Sequence, residues 1–242
     1  MDAALKIANP ELSPRERLIV ALDVPTLDDA RRLVDTLGDN VSFYKIGLEL
    51  VMRGGLDFAR GLAGAGKNIF LDMKLLDIEN TVERAVANAA ETGAKFLTIH
   101  GTDTKTMAAA AAGCSGSDLK VLTVTVLTNL DSNDLAEQGI SSTPEDLVIS
   151  RARMAHAAGL HGVIASGREA AAVRHATASG FLIVTPGIRM AGGVAGDQTR
   201  VATPAAAIAD GANYLVVGRP ISQAADPAAA AQAFVAEIAS AD

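Results

Sequence analysis

The chain has 242 residues, 49% of them hydrophobic, and a formal net charge of −7. No Pro/Ser-rich linker or charge block divides it, so one α/β domain over residues 1–242 is expected rather than two small ones. Dispersed basic residues under a net negative charge, with 3% aromatics and no Trp, argue against a nucleic-acid surface or a base-stacking platform. Cys114 is the only cysteine, which rules out an internal disulfide framework and fits a reducing compartment. The opening M-D-A-A-L-K lacks the apolar core of a secretory signal. No run approaches the roughly 18 apolar residues needed to cross a bilayer. A soluble cytoplasmic protein is the expectation.

In chain order, residues 1–15 are expected to form a helix or loose arm before the first strand. Short β-branched runs then alternate with Ala-rich helical stretches. The strand candidates are Leu18–Asp23, Ser42–Ile46, Ile69–Asp72, Phe96–His100, Lys120–Val126, Gly162–Ala165, Leu182–Thr185 and Tyr214–Val217. Helical patterns fall at Leu27–Leu37, Asn80–Thr92, Pro144–Ala158, Gly167–Ala178, Pro204–Asp210 and Pro227–Ala239. Eight strands with intervening helices match a single-domain (β/α)₈ TIM barrel, for which about 250 residues is typical. An open doubly wound sheet is the alternative; even strand spacing favours closure.

A barrel places its chemistry at the C-terminal ends of strands and in the loops that follow. Polar residues gather there: Asp23, Lys45, Asp72, Lys74, His100, Thr128, Arg189 and Arg219. The densest group lies in Ile69–Ile78, I-F-L-D-M-K-L-L-D-I, where Asp72, Lys74 and Asp77 interrupt an apolar run. Buried charges are rare unless paired or functional. The two-residue period of an extended strand puts Asp72 and Lys74 on one face. Asp77 follows where the chain turns toward a helix.

Two later loops point to an anion. Val216-Val-Gly218-Arg219-Pro-Ile221 passes from a strand through glycine to a helix start, and Thr185-Pro-Gly-Ile-Arg189 repeats the glycine-then-arginine order. Loops after the seventh and eighth strands commonly form a barrel's phosphate site. Residues 189–200 between them are glycine-rich and read as a lid with Gln198 at its tip. Gly61-Leu-Ala-Gly-Ala-Gly-Lys67-Asn68 resembles a Walker A loop, but ends in Asn and precedes a strand instead of following one. It is expected to be a helix C-terminus. His100, His156, His161 and His175 have no metal-ligand spacing, and His100 is expected to support the site.

Taken in order, these motifs resemble the orotidine 5′-monophosphate decarboxylase family over nearly the whole chain. The D-x-K-x-x-D signature is Asp72-Met-Lys74-Leu-Leu-Asp77, preceded by Ala21-Leu-Asp23 and Phe43-Tyr-Lys45-Ile-Gly47. The later signatures are Val124-Thr-Val-Leu-Thr128, Thr185-Pro-Gly-Ile-Arg189, Gly196-Asp-Gln-Thr-Arg200 and Val217-Gly-Arg-Pro220. The resemblance implies decarboxylation of orotidine 5′-monophosphate to uridine 5′-monophosphate without any cofactor. It implies catalytic roles for Lys45, Asp72, Lys74 and Asp77, with Lys74 stabilising and protonating a C6 carbanion. It puts Asp23 and Lys45 against the ribose, Thr128 against the pyrimidine, Gln198, Gly218 and Arg219 around the phosphate, and Arg189 against the substrate. It further implies a homodimer in which Asp77 enters the neighbouring subunit's site, with Ile78 and Thr81 nearby.

Two rivals stay open on sequence. Related barrel enzymes acting on sugar phosphates, decarboxylases or hexulose-phosphate synthases, share the D-x-K-x-x-D core but use a metal-stabilised enediolate and an acidic residue in the second strand. Lys45 stands at that position here. A non-catalytic nucleotide-binding barrel would keep the phosphate loops without needing Lys74.

Overall fold

In a computed structural model, residues 12–192 and 201–241 are described. The N-terminal arm up to residue 11 and the part of the expected lid at 193–200, with Gln198, lie outside them. Eight strands form a closed, all-parallel barrel in sequential order. They are β1 (Leu18–Ala21), β2 (Phe43–Gly47), β3 (Asn68–Leu75), β4 (Phe96–His100), β5 (Lys120–Val124), β6 (Gly162–Ile164), β7 (Leu182–Thr185) and β8 (Tyr214–Val217). The last strand returns to the first through Leu18↔Leu215, Ile19↔Val216 and Val20↔Val217. The fold is therefore the single-domain (β/α)₈ barrel, and the open sheet is ruled out.

Short-range chemistry starts most of the surrounding helices. They are α1 (Pro14–Arg17), α2 (Leu27–Leu37), α3 (Leu48–Val51), α4 (Gly55–Gly64), α5 (Glu79–Ala90), α6 (Thr104–Gly113), α7 (Ser132–Glu137), α8 (Pro144–Ala157), α9 (Ala170–Ala176), α10 (Pro204–Ala209), α11 (Arg219–Ser222) and α12 (Pro227–Ala239). At α8, α10 and α12 a proline opens the helix, and the preceding Thr143, Thr203 or Asp226 accepts from a backbone N–H one turn in. Proline needs no partner for its missing N–H at that position, and the cap satisfies an orphan donor. The sequence patterns located these starts for the same reason.

Where boundaries differ, local bonds explain it. The helix expected at Gly167–Ala178 begins at Ala170, because Ser166 N–H donates to the Glu169 carboxylate at 2.9 Å and holds the chain in a turn. The pseudo-Walker segment is the end of α4: Gly66 has φ +79°, and Lys67 Nζ donates to the carbonyls of Gly38 and Val41, binding the lower rim of the barrel.

Strand alternation produces two cores. Inward residues Ile19, Ala21, Phe43, Phe70, Phe96, Leu122, Leu182, Val184, Tyr214 and Val216 fill the barrel. Outward residues such as Val20, Tyr44, Leu71, Leu97 and Val121 pack against the helices. No helix among the described residues is long and apolar enough to cross a membrane.

Candidate active site

The upper end of β3 departs from a plain strand. It was expected to stop at Asp72 and runs instead to Leu75, with an irregularity inside it. Leu71 pairs with Leu97 and Leu75 with Ile99, so four steps along β3 oppose two along β4. Lys74, inside that bulge, has φ +51°, the one positive-φ non-glycine among the described residues. A side-chain-bearing residue held there stores roughly 1–3 kcal/mol of strain, and such residues cluster at functional sites. Simple alternation is thus not what brings Asp72 and Lys74 together; a bulge does.

The bulge completes a row of alternating charges. Lys74 Nζ lies 2.7 Å from Asp72 Oδ1, Lys45 Nζ 3.4 Å from Asp72 Oδ2, and Lys45 Nζ 2.9 Å from Asp23 Oδ1. Exposure rises outward: 10% for the Lys45 side chain, 14% for Asp72, 29% for Lys74 and 54% for Asp23. Burial would push the Lys45 ammonium down, but Asp72 and then Asp23 outweigh it and hold its pKa above the usual lysine value. Burial likewise opposes the Asp72 anion, and Lys45 and Lys74 reverse the balance so that its pKa falls below the ordinary aspartate value. Both groups stay charged at neutral pH. Gly47 belongs to this row by what it lacks: a Cβ there would sit 3.2 Å from both Asp23 Oδ1 and Lys45 Nζ.

Above the row opens a cavity of about 430 Å³, a size suited to a small-molecule ligand. It gathers Asp23, Lys45, Asp72, Lys74, Thr128, Arg189, Gly218 and Arg219 from six different βα ends. Apolar Ala21, Phe70, Val124, Ile164 and Val216 also line it. Sequence reading missed that apolar wall, and also Gln223 at the end of α11. The wall was legible in principle, since these residues continue the inward phase of their strands. Gln223 carried no motif.

The two arginine loops reach the same cavity. After β7, Gly187 at φ +75° makes the turn that Pro186 begins, Ile188 bridges Ala202, and Arg189 N–H donates to Ala202 O at 3.0 Å. After β8, Gly218 precedes α11, whose first residue is Arg219.

Asp77, Ile78 and Thr81 do not line the cavity and are solvent-exposed in the single chain. Asp77 Oδ1 accepts from Ile78 N–H at 2.7 Å. His100, the last residue of β4, is half-buried; burial first, then Lys74 and Arg151, depress its pKa and favour the neutral ring. Among the described residues no cluster of His, Cys, Asp and Glu could hold a metal ion.

Comparison with known proteins adds independent findings. The family model described as "Orotidine 5′-phosphate decarboxylase / HUMPS family" matches residues 16–234. Afipia carboxidovorans orotidine 5′-phosphate decarboxylase is 56% identical, over 94% of this chain and 96% of that protein. A Bradyrhizobium protein of the same name is 54% identical over 96% of this chain and 95% of its own. The crystal structure of orotidine 5′-phosphate decarboxylase from Lactobacillus acidophilus superposes with a TM-score of 0.81 at 35% identity, covering 91% of this chain and 98% of that one. From the strand-end charges through the paired arginine loops to these matches, the chain belongs to the orotidine 5′-phosphate decarboxylase / HUMPS family.

Proposed function

We propose that this protein decarboxylates orotidine 5′-monophosphate to uridine 5′-monophosphate and CO₂, the last step of de novo UMP synthesis, without a cofactor. The observation that carries this reading is the row Asp23–Lys45–Asp72–Lys74 at the cavity floor, together with relatives at more than half identity that bear this activity's name.

The chemistry follows from the row. Breaking the bond between C6 of the pyrimidine and its carboxylate leaves the electron pair on C6. A fixed cation there stabilises that pair, and its proton then completes the product. Lys74 is the ammonium that fills this role. Asp72 holds it by the 2.7 Å pair and keeps it from swinging away. Lys45 neutralises the far oxygen of Asp72 and, with Asp23, presents polar groups to the ribose. In this reading Thr128 serves the pyrimidine, Gln198, Gly218 and Arg219 serve the phosphate, and Arg189 serves the substrate. Enzymes lower barriers by roughly 8–23 kcal/mol, and binding energy from a remote phosphate contributes by organising the reacting end.

The sugar-phosphate alternative is disfavoured by charge. Both oxygens of Asp72 already face ammonium groups, so a divalent cation placed beside it would meet two like charges. The test is the absorbance change on mixing protein with orotidine monophosphate. Turnover is expected and survives exhaustive chelation. Loss with chelator, restored by magnesium, would move the protein to the metal-dependent class.

The functional unit in this reading is a homodimer in which Asp77, with Ile78 and Thr81, completes the partner's site. Asp77 does not line its own cavity, and its chain neighbours Leu76 and Ile78 are large apolar residues exposed at 52% and 72%. Exposed apolar side chains of this kind are what a subunit interface would cover. Mixing inactive Lys74→Ala with inactive Asp77→Ala is expected to restore activity through mixed dimers. No recovery despite confirmed subunit exchange would keep Asp77 in its own chain. The free, buried Cys114 is in keeping with a cytoplasmic location, which cell fractionation tests.

A further inference from the structure

Thr98 carries no charge, does not line the cavity and belongs to none of the signatures. It is nevertheless the residue of β4 that stands opposite the bulge in β3, between Leu97 and Ile99, the two β4 residues whose partners are four apart. Its side chain is fully buried. Thr98 Oγ1 accepts from the backbone N–H of Lys74 at 3.0 Å and donates to Asp72 Oδ1 at 2.9 Å. That same carboxylate oxygen receives Lys74 Nζ at 2.7 Å.

These bonds close a ring. Lys74 is held at both ends, its amide by the Thr98 hydroxyl and its ammonium by Asp72, while the hydroxyl also fixes the carboxylate. The left-handed backbone at Lys74 takes its N–H out of the regular β3–β4 ladder, and a buried N–H without a partner is costly. A hydroxyl on the facing strand supplies that partner without requiring the ladder to close. We propose that Thr98 is a positioning residue for the decarboxylation: it holds the strained backbone of Lys74 and aims the Asp72 carboxylate, so that the ammonium is fixed where C6 reacts. This inference rests on the roles given above to Lys74 and Asp72.

Reaction geometry is steep enough to expose such a role. A misplacement of about 1 Å in a reacting group costs on the order of 10²-fold in rate. Thr98→Val keeps shape and removes the hydroxyl, leaving both the Lys74 N–H and Asp72 one partner short. It is expected to lower kcat about 10–100-fold while KM for orotidine monophosphate stays within about threefold, because no substrate contact is lost. Thr98→Ser, which keeps the hydroxyl, is expected to stay within about threefold of wild-type kcat. A residue that merely filled the barrel would show the reverse order, Val tolerated and Ser impaired.

Amide hydrogen exchange gives a readout free of turnover. Exchange of the Lys74 N–H is expected to quicken at least about tenfold in Thr98→Val and to stay protected in Thr98→Ser. Should Thr98→Val fail to fold, Thr98→Ala carries the same two measurements. Wild-type kcat in the hydroxyl-free variant, equal impairment in Thr98→Ser, or an unchanged Lys74 exchange rate would each overturn the inference. Wild-type protein without turnover would instead refute the proposed function, and the Lys74 exchange rates would still decide whether Thr98 holds that backbone.

Discussion

The two ends of the barrel are built from the same eight strands and do opposite things with them. At the floor, the strands open with Phe43, Phe96 and Tyr214, whose rings meet at centroid distances of 5.0 to 5.8 Å, two of the three contacts edge-to-face. At the mouth, two residues further along β2 and β4, stand Lys45 and Thr98, with Asp72 two beyond Phe70 in β3. The floor buries apolar area and gains edge-to-face contacts, so it closes the barrel. The mouth takes charges out of water, leaves a non-glycine residue in left-handed backbone and forgoes part of a strand ladder. Each of those features costs stability and is retained where geometry matters more. Stability and chemistry are thus separated along the strand axis by one alternation.

Four experiments would break or sharpen that contrast. The largest effect is expected at the mouth. Lys74→Ala should lower turnover by at least about 10³-fold with the unfolding midpoint nearly unchanged, since the side chain is partly exposed and its strain is backbone strain. Turnover within tenfold of wild type would remove Lys74 from the chemistry. At the floor, Phe96→Ala should cost about 3–5 kcal/mol in urea unfolding by leaving a cavity among three rings. A cost under about 1 kcal/mol, below that large-to-small range, would mean the aromatic floor does not hold the barrel.

A smaller and opposite effect is expected when the charged row is replaced as a unit. The triple variant Lys45→Met, Asp72→Leu, Lys74→Met should be inactive and yet equal to wild type in stability, or up to about 4 kcal/mol more stable, because buried ion pairs often lose to apolar packing. A loss beyond about 3 kcal/mol would show that the row itself supports the fold.

The smallest effect is the pH response. The depressed pKa of Asp72 contributes stability that is present above the unfolded aspartate value and lost as pH falls through its folded value. The raised pKa of Lys45 contributes stability that is present below the unfolded lysine value and lost as pH rises through its folded value. The row's contribution should therefore be flat from about pH 4 to 10, with edges of up to about 1.4 kcal/mol per pH unit for each proton. The triple variant should lose both edges, and Phe96→Ala should keep them while lying lower throughout. Edges that persist in the triple variant would assign them to other groups.

Much of this molecule was legible from local pattern. Strands β4, β7 and β8 and helices α2 and α12 fall where alternation and caps put them, because a Thr26 or Asp226 cap and a β-branched run act over one turn or one strand. The site's charged members were legible as well, since charge in an apolar strand is conspicuous at any scale. Its apolar wall was not, because Phe70, Val124 and Ile164 look like any inward strand residue until the barrel closes around a cavity.

By itself the sequence determined the βα order, the barrel that order closes into, and the clustering of charge at the strand ends; these follow from period, caps and the cost of burying charge. The tertiary structure alone decided how Asp72 and Lys74 meet. Their ion pair spans a bulge in β3, where a β4 hydroxyl meets both the Lys74 N–H and the Asp72 carboxylate, and no pattern within either strand records what the other will present. It also decided that Asp77 does not line the cavity its signature helps to form. A one-dimensional motif fixes which residues are close along the chain, whereas the direction each side chain takes is set by backbone geometry that neighbouring strands impose.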